Sequence, residues 1–106
     1  MLRVQLPEEI SPVWRPIIER QVNLTLAPVR GSLSSLRIDF QPVQSNGNGT
    51  IAYRCELRGR ASNGRTYSIS AQHPDGQTAI VDTLTRAKRA IVRERNGVAG
   101  SARPLR

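Results

Sequence analysis

The chain is poor in the residues that most catalytic and metal sites require. Its 106 residues include a single cysteine, Cys55, and a single histidine, His73. A lone cysteine cannot form an internal disulfide, and this pair of residues is too small a set for a typical zinc site. No pair of carboxylates falls in a recognisable catalytic motif. We therefore expect no enzymatic activity, no metal, no cofactor and no small-molecule substrate, with His73 a structural turn residue and Cys55 an inert core residue.

Long apolar runs are also missing. No run approaches the roughly 20 apolar residues that a membrane-spanning helix needs, and the opening stretch MLRVQLPEEI lacks the apolar segment of a secretory signal. We expect a cytoplasmic protein with no membrane partner. A chain of this length fits one domain, which we assign to residues 1–96, followed by a flexible basic tail of residues 97–106.

Acidic residues are too few to balance the basic ones. Sixteen Lys and Arg face eight Asp and Glu, and the net charge is +8. The excess is concentrated in residues 54–106, which carry a net charge of +7, whereas residues 1–53 carry +1. All but one of the basic residues are arginine, whose planar guanidinium suits phosphate. This charge favours a polyanionic partner, with nucleic acid first and an anionic membrane surface as its competitor.

Apolar residues alternate with polar ones in four segments, and this two-residue period predicts four strands. The segments are LRVQL at 2–6, LRIDF at 36–40, IAYRCELRG at 51–59 and RTYSISAQH at 65–73. The polar, Gly-rich stretch QSNGNGT separates the second and third segments as a hairpin tip. The inward residues are expected to be Leu2, Val4, Leu6, Leu36, Ile38, Phe40, Ile51, Tyr53, Cys55, Leu57, Tyr67, Ile69 and Ala71.

The turn between the third and fourth strands fixes their pairing. A two-residue Asn63-Gly64 loop would set apolar positions against polar ones, so we predict a three-residue loop, Ser62 to Gly64, with Gly64 in the left-handed conformation. This type I turn with a bulge pairs Leu57 with Ile69, Cys55 with Ala71, and Gly59 with Tyr67.

Two segments have helical periodicity. The first helix is predicted to start with Ser11 as its cap and Pro12 at its first position, and to end at Pro28 and Gly31. Pro16 must lie in its first turn or kink it. Its apolar residues, Trp14 among them, recur four apart and are read as core. The second helix follows a cap at Asp75. The predicted fold is therefore α+β, in the order β-α-β-β-β-α, with both helices packed on one face of a four-stranded sheet.

The second helix, AIVDTLTRAKRAIVRER at 79–95, divides its apolar and basic residues between opposite sides. Ile80, Leu84, Ala87 and Ile91 fall within about 60° of one another on a period of 3.6, while Arg86, Arg89 and Arg93 lie opposite, and Lys88 and Arg95 lie on one flank. Arg58 and Arg60 are possible additions from nearby. Only Asp82 is placed to pair with an arginine of this face, Arg86. An ordinary solvated helix face is the alternative interpretation.

The order of elements and several short motifs resemble the family of ribosome hibernation promoting factors, also called protein Y or ribosome-associated inhibitors. The similar stretch is NGRTYSISAQHPDGQTAIVDTLTRAKRAIVR, with Asn63-Gly64, His73, Asp75 and Ala79-Ile80 followed by recurring basic residues. SPVWR resembles the start of the family's first helix and places Arg15 on the family's arginine. Pro16, the early end of the first helix and the near absence of lysine depart from the family.

The resemblance implies a translation regulator that binds the small ribosomal subunit in the channel for messenger and transfer RNA, and that silences or stores ribosomes under stress. It implies that ribosomal RNA phosphates are contacted by Arg15, Arg20, Arg86, Lys88, Arg89, Arg93 and Arg95. The second hypothesis is a protein interaction module that docks an acidic partner through its basic helix. The sequence leaves open whether translation is blocked, whether ribosomes dimerise, which stress is involved and the oligomeric state.

Overall fold

The predicted order of strands and helices is confirmed. The structure, a computed structural model, describes residues 2–45 and 50–101, with side chains described for 2–44 and 51–94. The predicted hairpin tip at 46–49 lies outside the described residues. The elements are β1 at Leu2–Gln5, α1 at Trp14–Leu26, a 3-10 helix at Ala27–Ser32, β2 at Leu33–Ser45, β3 at Thr50–Ala61, β4 at Thr66–His73 and α2 at Gly76–Ser101.

The four strands form one sheet in the order β1-β2-β3-β4. β1 runs parallel to β2, which requires the crossover that α1 provides, and the other pairs are antiparallel. α2 packs against β3, β4 and α1, while α1 also contacts β1. The α+β fold, with its two helices against a four-stranded sheet, is as predicted. The helix α2 continues to Ser101, and residues 102–106 lie outside the described part, so the flexible tail stays a prediction.

The hairpin between β3 and β4 has the predicted register. Leu57 pairs with Ile69, Cys55 with Ala71, and Gly59 with Tyr67. In the turn, the amide of Ala61 donates to the carbonyl of Arg65 at 2.7 Å, and the amide of Gly64 donates to the carbonyl of Ala61 at 2.9 Å. Gly64 has a φ of 93°, the left-handed conformation that glycine adopts without steric cost. The register follows because only a three-residue loop sets inward residues opposite one another.

The start of α1 differs from the prediction. The α-helix begins at Trp14 rather than at Pro12, and Val13, the residue before it, makes no side-chain capping bond. The Ser11 hydroxyl accepts a hydrogen bond from the amide of Val13 at 3.3 Å, as the predicted cap would, but in the turn ahead of the helix. Because Pro16 has no N–H, it cannot bond the carbonyl of Pro12, and the amide of Arg15 bonds that carbonyl instead, at 3.1 Å. The segment before Trp14 therefore forms a turn whose hydrogen bonds join residues three apart rather than four. Pro16 lies in the first turn of the helix, as expected.

The other end of α1 lies within one residue of the prediction, just before Pro28. The α-helix stops at Leu26, and the chain continues as the 3-10 helix, which contains Pro28 and Gly31 and buries Val29. This short helix leads directly into β2, which begins at Leu33 rather than at Leu36. Pro28 and Gly31, which were predicted to end the first helix, therefore follow α1 directly and lie inside the 3-10 helix.

The core lies between the sheet and the two helices. Ile51 is an exception: it was predicted to face inward, yet it is 56% exposed. The pairing of β3 with β4 ends at Tyr53 opposite His73, and Ile51 lies two residues beyond this last pair. The buried apolar residues that form the core cluster are Val4, Ile10, Ile18, Val22, Leu26, Val29, Leu36, Ile38, Phe40, Cys55, Leu57, Ala79, Ile80, Leu84, Ala87 and Ile91.

Aromatic rings join α1 to the sheet at one end of this core. The ring centroid of Trp14 lies 4.8 Å from that of Phe40 and 5.8 Å from that of Tyr53. Phe40 and Tyr53 stack at 5.5 Å with nearly parallel planes. Such contacts stabilise by about 0.5–1.5 kcal/mol beyond their buried area. Trp14 is therefore a packing residue, as predicted.

Burial makes Cys55 an unreactive thiol and makes the free energy of unfolding fall at alkaline pH. The side chain is fully buried, and this burial raises the pKa of its thiol from 9.0 to about 11. Above pH 9 the unfolded chain loses this proton while the folded chain keeps it, so stability falls as the pH rises towards 11. We expect a loss of about 2 kcal/mol across this range, measured by urea unfolding.

The Cys55→Ala variant is the control for that titration. It should be less stable than the unaltered protein because a buried atom is removed. Its free energy of unfolding should fall less between pH 9 and pH 11, because it has no thiol to titrate. Native protein should resist thiol alkylation at neutral pH and react once unfolded. Rapid alkylation of the native protein at pH 7 would contradict the buried, protonated state of Cys55.

Candidate nucleic-acid interface

The basic helix α2 is held to the core by one side only. Ile80, Leu84 and Ala87 are fully buried, and Ile91 is 2% exposed, as its periodicity predicts. Thr83 completes the buried stripe and donates its hydroxyl proton to the carbonyl of Ala79 at 2.8 Å, with the carbonyl of Cys55 at 3.2 Å. The opposite side of the helix is left to solvent.

The first turn of α2 is fixed by the predicted cap. The Asp75 carboxylate accepts a hydrogen bond from the amide of Thr78 at 3.0 Å and another from its hydroxyl at 2.6 Å. These bonds favour the charged form and hold the pKa of Asp75 below its usual value. The cap fixes where the helix begins, and therefore the direction in which each later arginine projects.

The arginines of the solvent side differ in how freely they can bind a ligand. Arg86 donates from Nη1 to the carbonyl of Ser70 at 2.8 Å and lies 3.9 Å from the carboxylate of Asp82. Arg89 and Arg93 are exposed, and neither forms a hydrogen bond or an ion pair with any residue that the structure describes. The unpaired state of Arg89 and Arg93 agrees with the helix spacing. One turn apart, these guanidiniums are available to an external anion.

The acidic residues near this surface, Asp82 and Glu94, both have partners outside it. The carboxylate of Asp82 lies 3.1 Å from Nε2 of His73, within hydrogen-bond distance. Glu94 extends away to Arg65 in the β3–β4 hairpin, with an N–O distance of 2.7 Å. The Arg65–Glu94 pair could not be found from helix spacing, because Arg65 is distant in sequence. His73 is the last residue of β4 and binds the helix, a structural role close to the predicted turn residue.

Arg89 and Arg93 border a groove along the free edge of the sheet. The groove is also lined by Arg86 and by the β4 residues Ser68, Ile69 and Ser70. β4 pairs with β3 alone, so its other edge faces this groove. The backbone edge of β4 therefore lies beside the unpaired guanidiniums of Arg89 and Arg93, and guanidiniums and backbone N–H groups are donors that bind phosphates. We call Arg86, Arg89 and Arg93 the helix-face arginines.

The remaining predicted site residues are not assembled into one cluster. Arg15 donates from Nη1 to the carbonyl of Val4 at 2.9 Å, which ties α1 to β1. Arg20 is exposed on α1, and Lys88 is half-buried on α2. The side chain of Arg95 lies outside the described residues. A ligand contact for each of these four stays a prediction.

A second basic surface lies on the outer face of the sheet, opposite the helices. Arg58 and Arg60 belong to it, together with Arg3 and Arg37. The suggestion that Arg58 and Arg60 add to the helix face is therefore wrong, because strand alternation turns them to the other side of the sheet. The alternation was visible in the sequence, but the alignment of these residues with Arg3 depends on long-range strand pairing.

Comparisons with known proteins find the same fold in solved structures. A ribosomal subunit interface protein from Coxiella burnetii superposes with a TM-score of 0.73 at 14% identity, over 90% of this chain and 97% of that chain. The protein Y N-terminal domain from Thermus thermophilus gives 0.58 at 15% identity, over 87% and 92%. These likenesses establish the fold alone. No protein-family model and no curated protein sequence matches the chain.

The described part of the chain lacks both a membrane-spanning helix and a cluster of metal ligands. None of its helices combines the length and the apolar character that crossing a bilayer demands. Within the same residues, no group of three or more His, Cys, Asp or Glu side chains is placed to hold a metal ion.

Proposed function

We propose that this protein is a ribosome-associated translation regulator that binds the small ribosomal subunit through ribosomal RNA phosphates. The observation that carries the proposal is the pair Arg89 and Arg93, exposed and without acidic partners in the described part of the chain, on a helix anchored by a fully buried stripe. The fold supports it, since similar folds occur in a ribosomal subunit interface protein and in protein Y.

The binding step needs charge and shape but no chemical reaction. Arg89 and Arg93 would each bind a phosphate through the planar guanidinium fork. Arg86 would keep its bond to Ser70 and present its remaining N–H groups to the same backbone. Lys88, Arg95, Arg15 and Arg20 would add contacts around this centre. Because the rings of Trp14, Phe40 and Tyr53 pack together inside the fold, recognition would rest on backbone contacts rather than on base stacking.

The resemblance extends the proposal to a location on the ribosome. The domain would occupy the decoding region, in the channel for messenger and transfer RNA, and so keep ribosomes inactive under stress in the cytoplasm. Residues 1–96 would form the binding domain and residues 97–106 a flexible basic tail. Phosphate binding releases counterions, so affinity should fall steeply as salt is added.

Sedimentation of the purified protein with isolated ribosomal subunits tests this function. We expect the protein to pellet with the small subunit at low salt, to be released as salt rises, and to leave the large subunit unbound. Equal binding to both subunits would point to nonspecific charge attraction. No pelleting with the small subunit at low salt would refute the proposal.

A protein partner is the second candidate, favoured by the free edge of β4 beside the helix-face arginines. An acidic segment could add to that edge as a strand while its carboxylates meet the guanidiniums. A pull-down from nuclease-treated lysate separates the two functions. Recovery of one acidic protein after nuclease treatment would favour this candidate, and loss of all bound material would favour RNA.

A further inference from the structure

The outer face of the sheet carries a row of arginines across three neighbouring strands. Arg3 of β1 pairs with Arg37 of β2, and Arg37 pairs with Arg58 of β3. Directly paired residues project from the same face of a sheet. Arg60 lies two residues beyond Arg58 on the same strand, so it projects from the same face. We call these four residues the sheet-face arginines.

This arrangement opposes folding. Like charges on directly paired positions repel and lower the stability of a sheet. Acidic residues of the adjacent row relieve the repulsion in part: Arg37 lies 3.1 Å from the Asp39 carboxylate, and Arg58 lies 3.5 Å from the Glu56 carboxylate. Both pairs are solvent-exposed and therefore weak. Packing and strand pairing do not require four arginines on this face.

Arg3 and Arg60, the outer members of the sheet-face arginines, can bind an external ligand. The side chains of Arg3 and Arg60 are exposed and form no hydrogen bond or ion pair within residues 2–44 and 51–94. They belong to an open depression of about 610 Å³ on the outer face. The lining residues that alternate onto this face are all donors, namely Arg3, Ser35, Arg37, Arg58, Arg60, Thr66 and Ser68. No carboxylate belongs to this lining.

We propose that the sheet-face arginines form a second site for a nucleic-acid backbone, on the face of the sheet opposite the helices. Guanidiniums interspersed with Ser and Thr hydroxyls are the donors that bind phosphate oxygens. Adjacent strands lie about 4.8 Å apart, so the row from Arg3 to Arg58 spans roughly 10 Å. One nucleic-acid strand carries a phosphate about every 3.4 Å of helix rise, so the row faces about three phosphates.

The lining argues against a protein partner at this site. Stable protein interfaces are built on buried aromatic and apolar anchors. Tyr67 also lines the depression, but its ring packs against the core on the inner face, and the outward lining side chains are Arg, Ser and Thr. Charge and hydrogen bonding without an apolar anchor match a phosphate backbone.

Two sites, one at the β4 edge and one on the outer face of the sheet, would let one domain hold two backbone segments at once. Ser68 borders both openings, so the two sites adjoin across the β4 edge. The inference goes beyond the proposed function, which does not use the outer face of the sheet, and it holds whether or not the helix-face arginines bind the ribosome. On a folded RNA the domain would lie between two segments and bridge them.

Binding of a fluorescent 30-nucleotide oligouridylate by anisotropy, at several salt concentrations, tests the second site. The variant R3Q/R60Q removes two sheet-face arginines that have no described partner. Two lost phosphate contacts should reduce the slope of log affinity against log salt by about 1.4 and weaken binding about tenfold at low salt. The control R30Q removes one positive charge at an arginine outside both surfaces, and it should leave the slope close to that of the unaltered protein, whereas R3Q/R60Q should lose about 0.7 of slope for each charge removed.

Further variants separate this inference from the proposed function. R89Q/R93Q should still bind oligouridylate through the sheet face, and combining it with R3Q/R60Q should remove the remaining affinity. An R3Q/R60Q variant whose slope stays, like that of R30Q, close to the slope of the unaltered protein would overturn the inference even if R89Q/R93Q loses ribosome binding. Polyglutamate serves as the protein-like probe: tight binding of polyglutamate that R3Q/R60Q abolishes, with oligouridylate unaffected by R3Q/R60Q, would also overturn it.

Discussion

Replacing Gly76 with alanine is expected to lower the free energy of unfolding by about 2–3 kcal/mol, because overpacking a close-packed core costs that much. A Cβ atom at this position would lie 2.8 Å from Cη2 of Trp14 and 2.9 Å from Cζ of Phe40. Both atoms belong to rigid rings in the aromatic group that joins α1 to the sheet. Neither ring can move without disturbing the other and Tyr53.

The sign of this effect distinguishes packing from helix propensity. Propensity alone would make alanine more favourable than glycine in a helix by up to about 1 kcal/mol. Gly31→Ala is the matched control, because no atom lies within 4 Å of its added Cβ, and its stability should change by less than about 0.5 kcal/mol. Urea unfolding of both variants provides the comparison. A Gly76→Ala protein as stable as the control would show that the rings are not in close contact with α2.

Reversing both free charges of the basic helix should have the largest effect on binding. We expect the R89E/R93E variant to lose sedimentation with the small ribosomal subunit, with affinity falling at least about 100-fold, since two phosphate contacts become repulsive. Its melting temperature should stay nearly unchanged because both side chains are exposed and unpaired in the described part of the chain.

The lysine variant R89K/R93K controls for charge and fold together. It keeps both positive charges but loses the planar fork, so it should still sediment with the small subunit and be released at lower salt. Normal sedimentation of a folded R89E/R93E variant would remove Arg89 and Arg93 from the site. A large fall in melting temperature for that variant would show that these side chains stabilise the fold.

The parts of this structure set by local patterns could be predicted from the sequence. Strand alternation gave the inward residues, turn chemistry at Gly64 gave the β3–β4 register, and helical periodicity gave the buried and exposed sides of α2. Each of these depends on residues close together in the chain. The cap at Asp75 is equally local, since its partner Thr78 is three residues away.

The features that the sequence did not predict depend on residues far apart in the chain or on a backbone N–H that proline lacks. The start of α1 shifted because Pro16 lacks an N–H. Ile51 is exposed in the part of β3 that extends beyond its last pair with β4, and that length follows from strand pairing rather than from local alternation. Arg15 bonds the carbonyl of Val4, and that contact requires the three-dimensional placement of α1 on β1. The row of sheet-face arginines was missed for the same reason, since it appears only when β1, β2 and β3 are in register.

Hydroxyl-radical footprinting of the small subunit's RNA tests the central claim most directly, because the radical cleaves the sugar-phosphate backbone that the arginines are proposed to cover. The account predicts protection of backbone positions in the decoding region with the unaltered protein, and loss of that protection with R89E/R93E. Protection elsewhere, or protection that R89E/R93E leaves intact, would contradict it.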